Sequence, residues 1–409
     1  MLDSTENGVV TYKQEYALGG IDMKKAISLL MAGLMVCSFV LAGCQQKDIK
    51  VSSNTFKIGA LGPLTGELAF YGKEVQNGMM IAVEEINAAG GICDKTVEVN
   101  FLDDEADSEK VIEEYNVLKE WGMHTLLGAV TSDACIALSA ETEKDNIFQV
   151  TPSSSAVESI NHYNAFQVCF SDPNQGAAAA EYIAENKLGK RIAVVYDMSS
   201  SYSVGIFRGF SDKAHELGVE MVSIQGFSKE NNSDFTYIIK EIIDKKSDLV
   251  FLPMYYQEAS IFLKQASNLG CTAQYLGCDG MEGILEVEGF DAKYAEGLMY
   301  LTPFVSGDMS ADAVLFSKKY EEAYGRKPSQ FAADAYDAVY VIKTAAEEAG
   351  VTVNMSAEKM CEAMVGVMTV ISFEGITSAD GTKMSWDRIG TVDKVPKVAI
   401  IQDGQYKLK

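Results

Sequence analysis

Positive charge is scarce in this sequence. Its 34 lysines and arginines are outnumbered by 58 aspartates and glutamates, giving a formal net charge of −24 over 409 residues. Nucleic acid needs basic patches to neutralise its phosphates, so that partner is excluded. The acidic balance serves solubility and names no ligand. Histidine is nearly missing: His124, His162 and His215 are widely spaced, fit no metal motif, and fall at a strand start, in a loop and at a surface helix position. Of the eight cysteines, Cys37 and Cys44 lie near the N-terminus. The others (Cys93, Cys135, Cys169, Cys271, Cys278 and Cys361) form no CxxC pair and no zinc spacing. Cys271 and Cys278 stand nearest, but a strand between them would separate their Cα atoms by about 23 Å at ~3.3 Å per residue. A disulfide spans less than about 7 Å, so the six read as buried thiols.

Catalytic motifs are missing as well. No G-x-S-x-G elbow and no P-loop occurs. The first βα loop is glycine-rich (Gly59, Gly62, Gly66) and Asp103 ends the next strand, but the spacing is not GxGxxG and Pro63 interrupts it. The acidic run Asp103–Asp107 lacks the ligand spacing and glycine of a calcium loop, and reads as a solvated loop. Neither an enzyme, a metal nor a cofactor is expected.

What the chain does have begins with an apolar run. Lys24 and Lys25 follow Met23, no charge occurs from Ala26 to Gly43, and Leu41-Ala42-Gly43-Cys44 closes the run before a polar Gln45-Gln46-Lys47. A basic start, an apolar middle and small residues at the end describe an export signal. The tetrapeptide resembles the lipobox of bacterial lipoproteins, which implies cleavage before Cys44 and a lipid on that cysteine. Residues 1–22 then read as a mis-called start, 23–43 as a lipoprotein signal peptide and 44–54 as a tether. The expected location is extracytoplasmic, on the cell membrane.

Beyond the tether the chain is 47% hydrophobic and 22% charged overall, enough to bury two cores. "FKIGAL" reads as a strand. The helix after it puts Val75, Met79, Val83 and Ile86 on one face, and Gly90-Gly91 ends it. Strands "TVEVNFL", "HTLLGAV" and "IFQVTP" then alternate with helices, and the rhythm resumes through "RIAVVYD", "VEMVSIQGF", "DLVFLPM" and "AQYLG". Such alternation builds doubly wound, parallel α/β sheets, here in two lobes. Ligands gather at the carboxyl ends of such strands. The loops there read "GPLTGELAFYG", "TSDA", "TPSSSA", "DMSSSYS", "PMYYQ" and "GCDGMEG", rich in hydroxyl, tyrosine and acidic groups. Hydroxyls beside helix N-termini suit an anionic group, and a lone acid across a cleft suits a cation. A small zwitterion would satisfy both.

From Phe56 to the C-terminus the chain resembles the branched-chain amino-acid-binding proteins, type I periplasmic binding proteins that serve ABC importers. The resemblance runs in order through "GPLTGELAFYGKEVQNGMMIAVEEINAAGGI", "LLGAVTSDA", "VTPSSSA", "FLPMYYQEASIFLKQASNLG", "YLGCDG", "PSQFAADAYDAV" and "FEGIT". It implies two lobes, 55–171 with 304–376 and 172–303 with 377–409, joined by a three-strand hinge near Ser171, Pro303 and Ile376. It implies that Ser132 reads a ligand carboxylate, that Ser153 offers its carbonyl to the ammonium, and that Ser155 offers its hydroxyl and N–H. Asp279 would pair with the ammonium, where some relatives carry Glu. Tyr202 and Tyr255 would reach over from the second lobe, with Tyr255 not separated from Tyr256, while Tyr71 and Phe331 would line the side-chain pocket. Asp133 stands where relatives often carry a small hydroxyl residue, which weighs against a purely aliphatic pocket. The implied partners are a small amino acid, ABC permease subunits and the membrane through the lipid, with the protein itself monomeric. A lipid-tethered sensor of the same fold, or an importer component for an amide, urea-like or aromatic-acid ligand, is the alternative.

Overall fold

The computed structural model describes residues 54–306, 310–378 and 382–409, so the export signal, Cys44 and the tether up to residue 53 lie outside the described residues. The first half of the rhythm appears as β1 (Thr55–Gly62), α1 (Ala69–Ala88), β2 (Thr96–Asp103), α2 (Lys110–Trp121), β3 (Thr125–Leu127), α3 (Ser132–Asp145), β4 (Phe148–Thr151) and β5 (Ala165–Gln167). These strands form one parallel sheet in the order β2-β1-β3-β4-β5.

The second half comprises α4 (Asp172–Asn186), β6 (Ile192–Asp197), α5 (Ser201–Leu217), β7 (Met221–Phe227), α6 (Thr236–Asp244), β8 (Leu249–Leu252), α7 (Tyr256–Asn268), β9 (Gln274–Gly277) and β10 (Met299–Thr302). Then follow α8 (Ala311–Tyr324), α9 (Gln330–Glu348), α10 (Ala357–Met368), β11 (Lys397–Gln402) and β12 (Gln405–Leu408). The second sheet runs β12-β11-β10-β9-β8-β6-β7. It departs from the all-parallel expectation at one edge, where β11 is antiparallel to both β10 and β12. The cause is local: Asp403 and Gly404 both adopt positive φ (54° and 66°), the conformation of a tight hairpin turn.

Several helix starts and stops have a local reason. Ser200, Ser329 and Ser356 cap α5, α9 and α10 with their side chains, and Gly122, Gly218 and Gly325 end α2, α5 and α8 in the left-handed region. In α1 the anticipated stripe Val75, Met79, Val83 and Ile86 is buried. That face meets α9, which also packs on β3 and β4 and so belongs to the first lobe although it lies far along the chain. The two helices approach so closely at Gly78 that an added Cβ would sit 1.9 Å from the carbonyl oxygen of Ala332.

Two readings of the sequence are corrected by burial. Asp103–Asp107 is not simply a solvated loop. Asp103 accepts from the N–H of Leu64 (2.7 Å) and the hydroxyl of Thr65 (2.6 Å), which pins the first βα loop, while Asp104 is fully buried and burial pushes its carboxyl up to about 7. Of the six cysteines, all free, Cys93 and Cys271 are only partly buried.

Candidate functional site

The βα loops of both sheets meet at one small cavity of about 10 Å³, lined by Tyr71, Val130, Thr131, Ser132, Ser153, Tyr202, Tyr255, Asp279, Gly280 and Phe331. By the same measure one water fills such a space. A ligand of amino-acid size does not fit in a space of that volume. Seven of the eight side chains proposed from the sequence line this cavity. Ser155 does not, although its hydroxyl is buried without a hydrogen-bond partner and its carbonyl accepts the N–H of Asp172.

The first lobe supplies a polar wall. β3 ends at Leu127, and the chain turns through Thr131 into α3, whose N-cap makes no side-chain hydrogen bond. The N-terminus of α3, the Ser132 hydroxyl and the unpartnered Thr131 hydroxyl therefore sit at the cavity. Free N–H groups and the positive end of a helix dipole at such a point suit a carboxylate. Behind them Ser153 donates to the Val130 carbonyl at 2.8 Å and Thr151 to the Ala129 carbonyl at 2.7 Å, which fixes the loops to each other.

The opposite wall is acidic and aromatic. Asp279 accepts from the Tyr202 hydroxyl at 2.6 Å and from the Gly280 N–H at 2.9 Å, and burial pushes its carboxyl up to about 6. Tyr202 and Tyr255 stack with centroids 4.6 Å apart, Tyr71 meets Tyr255 edge-on at 5.7 Å, and Phe331 lies 4.3 Å from Tyr71. The tyrosine pair left open by the sequence separates here. Tyr255, extended at φ −77°, turns into the cavity, whereas Tyr256 opens α7 and donates to the Glu67 carbonyl of the first lobe at 2.7 Å.

Sequence reasoning gave no notice of Asp172, a buried acid outside the cavity lining. It opens α4, is fully buried, and neither carboxylate oxygen has a hydrogen-bond partner among the described residues. Burial holds its carboxyl well above the usual range, with the Ser155 hydroxyl, near but outside hydrogen-bond geometry, offsetting only part of this and the Asp279 charge adding to it. In the sequence it stands in Ser171-Asp172-Pro173, an ordinary helix start, and only burial distinguishes it. Asp133, expected to intrude on the pocket, is not among its lining residues. No lysine, arginine or histidine lines the cavity, and among the described residues no cluster of histidine, cysteine or acidic side chains is arranged to hold a metal. One acid without a counter-cation on one side and N–H and hydroxyl donors on the other match a molecule carrying both charges.

Comparison with known proteins places the fold. Residues 55–390 match the family described as periplasmic binding protein. A leucine-, isoleucine-, valine-, threonine- and alanine-binding protein of Pseudomonas aeruginosa is 28% identical over 349 residues, covering 84% of this chain and 89% of its own. Two solved structures superpose with a TM-score of 0.77 at 27% identity: a leucine-binding protein of Thermotoga maritima (87% of this chain, 98% of its own) and a branched-chain amino-acid transporter substrate-binding protein of Streptococcus pneumoniae bound to isoleucine (86% and 98%).

Proposed function

The chain belongs to the periplasmic binding protein family, and on that premise we propose that it captures a small amino acid, of branched-chain or related type, and delivers it to an ABC permease. Its family and fold are those of solute-binding proteins, not of enzymes. The observation that carries the ligand class is the divided cavity, with Asp279 and no basic side chain on one side and the α3 N-terminus with its hydroxyls on the other.

The roles follow from position. Ser132 and the start of α3 hold the ligand carboxylate, while Asp279 and the Ser153 carbonyl receive the ammonium. Tyr71, Tyr202, Tyr255 and Phe331 enclose the side chain. The lobes turn about crossings near Ser171, Pro303 and Ile376, and the first lobe binds before the second closes over the ligand. Because only the closed form lets the ligand touch both lobes, binding biases the protein toward that form, which the permease then recognises.

A thermal-shift screen of the twenty amino acids tests this reading. Leucine, isoleucine, valine or a near relative should raise the melting temperature, with about 2.7 kcal/mol of stabilisation at 100 times Kd. A shift produced only by carbohydrates, aromatic acids or urea-like amides would reject the ligand class.

The lipid on Cys44 completes the proposal. No helix among the described residues is long and apolar enough to cross a membrane. Acyl chains contribute roughly 0.8 kcal/mol per buried CH₂, so several chains suffice to hold a protein at a bilayer. Cys44→Ser should move the protein from the membrane fraction to the soluble fraction; continued anchoring would assign the attachment to the apolar run itself.

A further inference from the structure

Closing a cleft strips water from its rims, so polar groups buried there need partners on the opposite lobe. Two of the contacts that cross this cleft share one form. The Asp133 carboxylate, in the first turn of α3, accepts the backbone N–H of Ser201, the first residue of α5 in the second lobe, at 3.2 Å. The Glu282 carboxylate, directly after the Asp279–Met281 turn of the second lobe, accepts the N–H of Gln330, the first residue of α9 in the first lobe, at 3.0 Å.

Each lobe thus presents one acid to the start of a helix on the other. Helix starts carry unpaired N–H groups and the positive end of the dipole, so a carboxylate is the side chain best suited to them. Neither Asp133 nor Glu282 lines the cavity. Glu282 is 5% exposed, and Asp133 is half-buried at the rim.

The contacts around them keep the same logic. Gln330 donates its side-chain amide to the Asp279 carbonyl at 2.7 Å, and Tyr71 donates to the Gly280 carbonyl at 2.5 Å. The turn that carries the ligand-facing Asp279 is therefore held from the first lobe at three acceptors, of which the Glu282 carboxyl is the one on a side chain.

We propose that Asp133 and Glu282 are reciprocal closure latches, positioning residues that hold the lobes shut without touching the ligand. They set how long a ligand stays, not how fast it arrives. When the lobes part, both carboxylates and both N–H groups return to water, so each latch contributes only to the closed state. The proposal rests on the hinge-closure reading given above.

Stopped-flow binding of L-leucine to the full chain tests it. Asp133→Ala and Glu282→Ala should each speed leucine dissociation about tenfold, the upper end for one hydrogen bond, and the double variant should approach the product of the two. The association rate should stay within about twofold of the parent, because encounter precedes closure. Asp133→Asn and Glu282→Gln keep an acceptor oxygen and should restore most of the residence time. Small-angle scattering without ligand should show a larger radius of gyration for the double variant.

Dissociation unchanged in both alanine variants, or affinity lost through the association rate alone, would overturn the latches. Should Glu282→Ala fail to fold, the half-buried Asp133 carries the test by itself. If the parent protein binds no leucine, the amino-acid reading fails and scattering decides the latches: an unchanged radius in the double variant removes them.

Discussion

Asp279→Ala should abolish amino-acid binding while leaving the protein folded. The carboxylate faces the cavity, almost fully buried and held by Tyr202 and Gly280, and no basic side chain lines that cavity. A ligand ammonium brought there without its partner is an unpaired buried charge, and breaking such a pair costs about 3–5 kcal/mol. Affinity should therefore fall by two to four orders of magnitude, roughly a factor of ten per 1.4 kcal/mol. Isothermal titration measures it, and a loss below about tenfold would sink the zwitterion model.

The same residue predicts a pH dependence. Burial raises the Asp279 carboxyl to about 6, and the ammonium binds the ionised form. Affinity should be full above pH 6 and decline as pH falls through that value, approaching tenfold per unit while one proton is coupled. Stability without ligand runs the other way. The folded protein holds this proton more tightly than an unfolded aspartate of pKa about 3.9 does, so the contribution is present at low pH and lost as pH rises toward 6.

Gly78→Val should prevent accumulation of folded protein. The obstacle to any Cβ there is backbone, the Ala332 carbonyl on α9, and a backbone atom cannot turn aside as a side chain can. Relief requires α1 and α9 to separate along a face that includes Val75, Met79 and Ile342, all buried. Overpacking of well-filled cores costs about 1–3 kcal/mol and more where the clash is rigid, so this change belongs at or beyond the top of that range. Gly366→Ala is the matched control. Gly366 lies in α10 with nothing within 4 Å of an added Cβ, so alanine there should stabilise the protein by about 0.5–1 kcal/mol. Chemical denaturation of both variants separates the two cases; a Gly78→Val protein as stable as the parent would show that the helices slide apart freely.

The fold was legible wherever one strand and one helix make a repeating unit. β1, β3, β4, β6 and β8 announce themselves because a buried parallel strand is a short, continuous apolar run, while the half-exposed β2 and β7 were placed by the alternation with helices. The hairpin of β11 and β12 escaped, since its strands are half-exposed and its signal is the Asp403-Gly404 pair. At the cavity, residue types and loop positions could be read, but directions could not. Tyr255 and Tyr256 are adjacent and chemically identical, and only the backbone turning from extended to helical sends one ring inward and the other to Glu67. Asp133 looked like a pocket residue because its neighbour Ser132 is one, yet consecutive residues in the first turn of a helix diverge by about 100°. Asp172 carried no signal, because burial arises from tertiary packing around a helix start that looks ordinary.

The pairing of α1 with α9 also bears on how the chain is made. Residue 78 cannot find residue 332 until nearly the whole polypeptide has been synthesised, so the first lobe has no complete core while its own strands are emerging. Contacts this distant in sequence delay folding, since the intervening loop must close before they repay its entropy. In an exported protein that delay is useful: a chain unable to finish folding early is still threadable when it reaches the membrane.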